Sequence, residues 1–258
     1  EAGKDLIVFC GVLFMAETAK ILSPKAKVLL PAARAGCPMA DMITGEELRA
    51  LKGRHPGALA VCYVNSTAEV KAECDIAVTS ANAARIVSSL PRDREIIFVP
   101  DRNLGSYVEK ITGRSMIFHP GSCPVHAAIT PGDIRDSRRE NPGAVVMIHP
   151  ECPPETVAEA DEVLSTGGMC AFVRSSPAKT FIVATEMGII HRLKKENPRA
   201  DYVPVTSRVI CPDMKLTALE DVLAALETLE PEILLDEELR RRAELPIRRM
   251  LAGGIFEE

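Results

Sequence analysis

Residues 37–58, CPMADMITGEELRALKGRHPGA, lie without a gap on residues 123–144, CPVHAAITPGDIRDSRRENPGA. Eight of the 22 positions are identical, where average composition gives roughly one or two. Both stretches open on Cys-Pro, 86 residues apart, and a third Cys-Pro follows at Cys211-Pro212, 88 residues further on. The same offset carries Tyr63 onto His149, Asn65 onto Glu151, Glu69 onto Glu155, Thr79 onto Ser165 and Ser80 onto Thr166. The chain is therefore read as a repeat, and a period this long means a whole supersecondary unit per repeat.

The residues upstream of each Cys-Pro agree with this. Ile7-Val8-Phe9, Ile96-Ile97-Phe98-Val99 and Phe181-Ile182-Val183-Ala184 are short β-branched runs, each leading into a helix-like segment at 16–22, 103–112 or 187–196. A second apolar run follows in each case (28–30, 116–118 and 202–205), and then the Cys-Pro. Short apolar runs that alternate with helices read as buried parallel strands. The expected fold class is α/β: three pseudo-threefold-related three-layer α/β/α units around a central site, each built as three strand–helix pairs with right-handed crossovers. The expected segments are 1–57, 58–138 and 139–216, followed by a charged helical tail at 217–258 without a counterpart in the repeat, packing on the first unit. The first segment is expected to be incomplete, starting at a second strand, because the offset carries the partners of Tyr63 and Ser80 to positions ahead of Glu1.

Composition narrows the function. Of 258 residues, 47% are hydrophobic and 26% charged, which excludes a disordered or fibrous chain. The net charge of −5 comes without a basic block, so no nucleic-acid partner is expected. No apolar run approaches the ~18 residues of a membrane span, and the first residues do not read as a signal peptide, so a cytoplasmic protein with no membrane partner is expected. The eight cysteines include no C-x-x-C pair, which argues against a zinc ribbon, and a chain of this size needs no disulfide framework.

Cys37, Cys123 and Cys211 hold matched positions after the last strand of each unit, where α/β sheets gather ligands. A ring of such units brings three thiolates to one axis, which suits a soft metal centre. A cysteine can equally be a small buried hydrophobe, and the other five are read that way; Cys152, also followed by proline, is the ambiguous one. An iron–sulfur cubane normally takes four cysteines, so three leave one iron open. Tyr63, Asn65, His149 and Glu151 fall at strand carboxyl ends, where Tyr, His and Glu can pass protons and Asn can orient a carbonyl. His119 and His126 lie nearby in sequence. The segments at 79–82 and 165–168 open helices, where hydroxyl groups either cap the helix or join its N–H groups in binding an anion. No nucleotide-binding motif is present.

Nine stretches resemble the quinolinate synthase family of iron–sulfur enzymes: GVLFMAETAKIL (11–22), AGCPMADM (35–42), YVNSTAEVKAECDI (63–76), TSANA (79–83), HPECPPE (149–155), STGGM (165–169), FIVATEMGIIHRL (181–193), CPDMK (211–215) and LPIRRM (245–250). They span nearly the whole chain in family order. The resemblance implies three pseudo-symmetric domains and a [4Fe–4S] cluster held by Cys37, Cys123 and Cys211. It implies condensation of iminoaspartate with dihydroxyacetone phosphate to quinolinate, phosphate and water in de novo NAD biosynthesis, the open iron acting as a Lewis acid. Carried over by motif, Tyr63, Glu151 and His149 form the catalytic set, with Glu151 as acid/base. Asn65 positions substrate beside Tyr63, Ser80, Ser165 and Thr166 hold carboxylates, and His126 lines the site. The pathway implies a functional link to an L-aspartate-oxidising enzyme that supplies the imine. Family members also carry an upstream segment with a His-x-Tyr motif and a Gly-Asp-Ser helix start, which the residues from Glu1 onward do not contain. A chain starting at Glu1 is therefore expected to be catalytically impaired with its cluster ligands intact. Two other readings stay open from the residues alone: a different hydro-lyase with a three-Cys cluster, and a non-catalytic metal-binding module.

Overall fold

The structure is a computed structural model that describes residues 3–253. Residues 1–2 and 254–258, the outer ends of the expected first segment and tail, lie outside it. Short apolar runs become parallel strands throughout, as expected for the α/β class. The first part comprises β1 (Leu6–Val8), α1 (Leu13–Leu22), β2 (Lys27–Leu29) and α2 (Gly45–Arg54). The second comprises β3 (Leu59–Tyr63), α3 (Ala68–Ala72), β4 (Ile76–Val78), α4 (Ala83–Ser89), β5 (Ile96–Val99), α5 (Arg102–Thr112), β6 (Ile117–Phe118), α6 (Pro124–Ala127) and α7 (Pro131–Glu140). The third comprises β7 (Val145–Ile148), α8 (Pro154–Val157), β8 (Glu162–Val163), α9 (Thr166–Ser175), β9 (Thr180–Ala184), α10 (Ile189–Glu196) and β10 (Asp201–Pro204), and α11 (Leu219–Thr228) and α12 (Glu237–Leu251) follow.

The two larger sheets have one topology, β4-β3-β5-β6 and β8-β7-β9-β10, and one register: Leu59 pairs with Ile96 in the first, Val145 with Phe181 in the second. Every residue of β3, β4 and β5 is buried, as a parallel sheet covered on both faces requires. No described helix is long and apolar enough to cross a membrane.

Two features depart from the expected repeat. Each complete unit has four strands, not three. The extra strand is the second, β4 or β8, only three and two residues long; the sequence shows there only the short apolar stretches Ile76-Ala77-Val78 and Val163-Leu164, which the repeat reading does not count as strands. The strand β1 therefore corresponds to the third strand of a unit, β5 or β9, rather than to the second.

The second departure is the tail. The helix α2 starts with a reciprocal cap: Glu47 N–H donates to Thr44 Oγ1 (3.2 Å) and Thr44 N–H to Glu47 Oε2 (2.8 Å). In α7, 86 residues on, Thr130 and Asp133 repeat it at 3.1 and 2.9 Å. In α11, 88 residues further, Ala218 N–H still donates to Asp221 Oδ2 at 2.9 Å, without a hydroxyl to complete the pair. So α11 is the third copy of this helix, hidden from sequence comparison because its polar cap is half lost.

Two of the copies, α2 and α7, also dock alike, each on the unit that follows. From α2, Arg49 pairs with Glu73 (2.6 Å) and Lys52 with Asp75 (3.5 Å); from α7, Arg135 pairs with Glu159 (2.6 Å) and Arg138 with Asp161 (2.9 Å). Asp75 and Asp161 also accept the Ala60 and Val146 amides at the heads of β3 and β7. Exposed ion pairs stabilise little, so their effect is to fix where the helix lands. The helix α11 has Leu223 and Leu226 at the matching positions and lies against β1. The helix α12 packs elsewhere, mainly on α3 and β4, with a smaller contact to α1. Its Ala243, Ile247 and Met250 join the core of the second unit.

Candidate active site

Three equivalent backbone hydrogen bonds set the cysteine loops. Leu13 N–H donates to Ala35 O (2.8 Å), Arg102 N–H to Gly121 O (2.8 Å) and Met187 N–H to Val209 O (2.9 Å). Each ties the start of a helix to the residue two before the repeated cysteine. Gly121 must be glycine here, because a Cβ would meet Pro100 O at 2.6 Å. The third loop touches the first: Gly36 N–H donates to Asp213 Oδ1 at 3.2 Å, bringing the neighbours of Cys211 and Cys37 together. Cys37, Cys123 and Cys211 are all partly exposed. Burial pushes the Cys37 thiol up to about 12, and the nearby Cys123 sulfur adds to the rise. Of the others, Cys62, Cys74 and Cys152 are buried, Cys10 is exposed and Cys170 partly exposed. The ambiguous Cys152 points its thiol at Ala184 O and belongs to the core.

The second group centres on Glu151, just past the end of β7, which is 3% exposed. Tyr63, the last residue of β3, donates its hydroxyl to Glu151 Oε1 at 2.7 Å. His126, in α6 three residues after Cys123, places Nδ1 3.2 Å from Glu151 Oε2. The contact lies off the hydrogen-bond direction and acts as an ion pair. The other ring nitrogen of His126 bonds Thr185 Oγ1 at 2.8 Å, just past β9. His149 stacks on His126 with ring centroids 4.9 Å apart, and its Nδ1 accepts the Glu151 N–H at 3.4 Å.

The electrostatics follow from this enclosure. Burial opposes charge on Glu151, but the two imidazoles, His126 above all, hold the carboxyl below its usual range. Burial likewise opposes charge on His126, and the Glu151 carboxylate outweighs it, lifting the imidazole above its usual range. Only one histidine can take that place, and burial pushes His149 down to about 4. Burial and the adjacent carboxylate keep the proton on Tyr63 well past neutral pH.

The remaining predicted residues lie at the same strand ends with looser ties. Ser80 lies beside Tyr63 and works against the rise of its pKa. Asn65 is half-buried and joins no hydrogen bond among the described residues. Ser165 caps α9, its Oγ accepting Gly168 N–H at 3.1 Å, and Thr166 is exposed beside it. The matching segment does not cap α4: Asn82 precedes the helix, and its side chain accepts the Thr79 N–H at 2.7 Å. His119 accepts the Gly121 N–H and stays outside the Glu151 group.

Three residues of this neighbourhood were not singled out from the sequence: Thr185, Asp101 and Asn103. Asp101 is fully buried and caps α5. Burial and the Glu151 carboxylate push it up to about 7, against the pull of three backbone amides. Its signal was a polar residue two past a strand that matches Glu186 in the third unit. The match needs an offset of 85 rather than 86, so it was missed.

Among the described residues, one group places three metal-type ligand atoms within 4.8 Å of one another: Cys123, His126 and Glu151. The three repeated cysteines do not form such a group. Thiolates around a single zinc ion stand ~3.8 Å apart, as Zn–S bonds of about 2.3 Å in a tetrahedron require. A donor set of three thiols is a chemistry that iron–sulfur groups accept.

A family profile described as NadA, quinolinate synthetase A protein, matches residues 1–252. A quinolinate synthase of Dehalococcoides mccartyi (strain CBDB1) is 53% identical over 247 residues, covering 96% of this chain and 82% of its own. One from Geobacter metallireducens is 52% identical over 255 residues (98% and 84%), and one from Methanoregula boonei is 52% identical over 248 (96% and 82%).

Proposed function

The chain belongs to the NadA, or quinolinate synthetase A, family, and from that premise we propose that it condenses iminoaspartate with dihydroxyacetone phosphate to quinolinate, phosphate and water. The observation that carries this reading is the buried Glu151, held between Tyr63, His126 and His149 beside Cys123. The reaction needs a group that takes a proton from carbon and returns it to a departing hydroxyl. Glu151, kept ionised by His126, starts as the base; the proton it takes from substrate carbon is then available to the leaving oxygen. Tyr63 keeps its own proton and steadies the carboxylate, while His149 stays neutral, its Nδ1 taken by the Glu151 amide, and offers an Nε2–H that can donate a hydrogen bond to substrate.

Cys37, Cys123 and Cys211 are the residues that hold a [4Fe–4S] cluster in this reading. The cluster supplies Lewis-acid polarisation through its iron that lacks a cysteine. Asn65, Ser80, Ser165 and Thr166 orient the substrate, with the α9 N-terminus favouring an anionic group. The imine is hydrolytically unstable, so an L-aspartate-oxidising enzyme working in concert is the natural source.

The test is anaerobic turnover. Brown protein that forms quinolinate from both substrates supports the reading. Brown protein that dehydrates other substrates but makes no quinolinate points to a different three-Cys hydro-lyase. Colourless, zinc-loaded protein points to a metal-binding module.

A further inference from the structure

We infer that Asp101 is a positioning residue that holds the Cys123 loop and the Glu151 segment in one frame. The inference rests on the reading of Cys123 as an iron ligand and Glu151 as the acid/base. Asp101 lies two residues past β5, and its two oxygens do different things. Oδ1 accepts Asn103 N–H at 2.8 Å and Leu104 N–H at 2.9 Å, which caps α5. Oδ2 accepts the Cys123 N–H at 3.3 Å. Within the same turn of helix, Asn103 Nδ2 donates to Glu151 O at 3.0 Å. One fully buried side chain thus sets the helix start from which both the cysteine and the carboxylate segment are held.

The choice of residue supports a role beyond capping. Asn or Ser caps a helix as well as Asp does, and neither buries a carboxyl group, which is costly. What the carboxylate adds is the second acceptor, and that acceptor is spent on Cys123.

The repeat makes the same point by contrast. The equivalent positions are Val12 in the first unit and Glu186 in the third. Val12 has no acceptor, and there the amide before Cys37 is taken by Asp213. Glu186 accepts Gly188 N–H at 2.7 Å but turns its other oxygen to Lys215 Nζ at 2.8 Å. Among these three positions, only Asp101 reaches the amide of a repeated cysteine.

The experiment compares Asp101→Asn and Asp101→Ser with the wild-type chain. Both variants retain a cap for α5, and Asn sets an NH2 group against the Cys123 amide. In metal-free protein, iodoacetamide labelling of Cys123 relative to Cys37, read by mass spectrometry, is expected to rise severalfold. In the iron-loaded protein, loss of the visible absorbance to a chelator is expected to be about tenfold faster, the low end of what losing a residue behind a metal ligand costs. Turnover should fall through kcat, with KM within about twofold of wild type. Unchanged labelling and unchanged iron loss overturn the inference. If both variants fail to fold, amide exchange in the wild-type chain decides it: a Cys123 amide exchanging as fast as an unbonded loop amide overturns the inference, and a protected one supports it. A Cys123→Ala protein that keeps its iron overturns the ligand reading instead, and leaves the labelling and exchange results standing.

Discussion

The phenolic oxygen of Tyr63 stands 2.7 Å from Oε1 of Glu151. Tyr63 ends the first strand of one unit and Glu151 lies three residues past the end of the first strand of the next, so the bond crosses from one repeat to the next with both partners buried. Glu151→Gln keeps the shape and loses the base. It is expected to lower kcat by about 10²–10⁴, the usual worth of a positioned general base, and to leave the cluster absorbance intact. Tyr63→Phe removes one hydrogen bond to a charged group, worth about 1.5–3 kcal/mol, and should cost roughly 10–100-fold. Steady-state rates on anaerobic protein with matched iron content check both.

The cysteines divide by position in the repeat. Alanine at Cys37, Cys123 or Cys211 is expected to abolish iron binding in each case. Alanine at Cys10 or Cys170, which have no repeat partner, should leave iron content and the visible spectrum unchanged. Iron analysis and absorbance of the five reconstituted variants decide the matter. Retention of iron by any of the first three removes that residue from the ligand set.

Much of this was legible in the sequence, and the misses have physical causes. The Cys-Pro repeat and the apolar runs pointed to the α/β class because buried parallel strands are continuous in hydrophobicity. Tyr63, His149 and Glu151 were marked by their strand ends, and His126 by its place three residues after Cys123. The strand β8 escaped because two residues carry no period, and α11 escaped because its identity lies in a cap geometry that Ala218 only half preserves. Asp101 escaped because a capping residue and a ligand-holding residue look the same in sequence; only the direction of its second oxygen separates them.

The repeated caps yield a matched pair of stability predictions. Thr44→Ala and Thr130→Ala each remove the hydroxyl of an equivalent N-cap and should each cost about 1 kcal/mol, or a fall in Tm of about 2–4 °C. Ala218→Thr should do the reverse in α11. Its backbone is already extended (φ −98°, ψ 166°) and Asp221 is already in place, so only the hydroxyl is missing. Thermal unfolding of the three single variants reads the outcome. A rise at Ala218→Thr matched to falls at the two threonines confirms that the three helix starts are one structural position.

Lys71 gives the pH prediction. It is fully buried in α3, with Nζ donating to Ser66 O and lying 5.7 Å from the Phe14 ring centroid. Burial pushes the ammonium down to about 8, with Glu17 resisting, whereas an unfolded lysine titrates near ~10.4. Between these values the unfolded chain binds more protons than the folded one, so the lysine's contribution to stability rises with pH across that window. Below pH 8 the buried charge is a standing cost of about 3 kcal/mol, the free-energy equivalent of the gap between the folded and unfolded values. Lys71→Met is therefore expected to stabilise the fold at pH 7 by up to that amount, with the advantage shrinking toward pH 10. The difference between variant and wild type must be read, not either curve alone. The buried thiols of Cys74 and Cys152 are raised by burial and titrate in the opposite sense. Urea midpoints of both proteins at pH 7, 8.5 and 9.5 supply it. A difference that does not change with pH means that Lys71 keeps its charge in the fold across this range, held by Glu17.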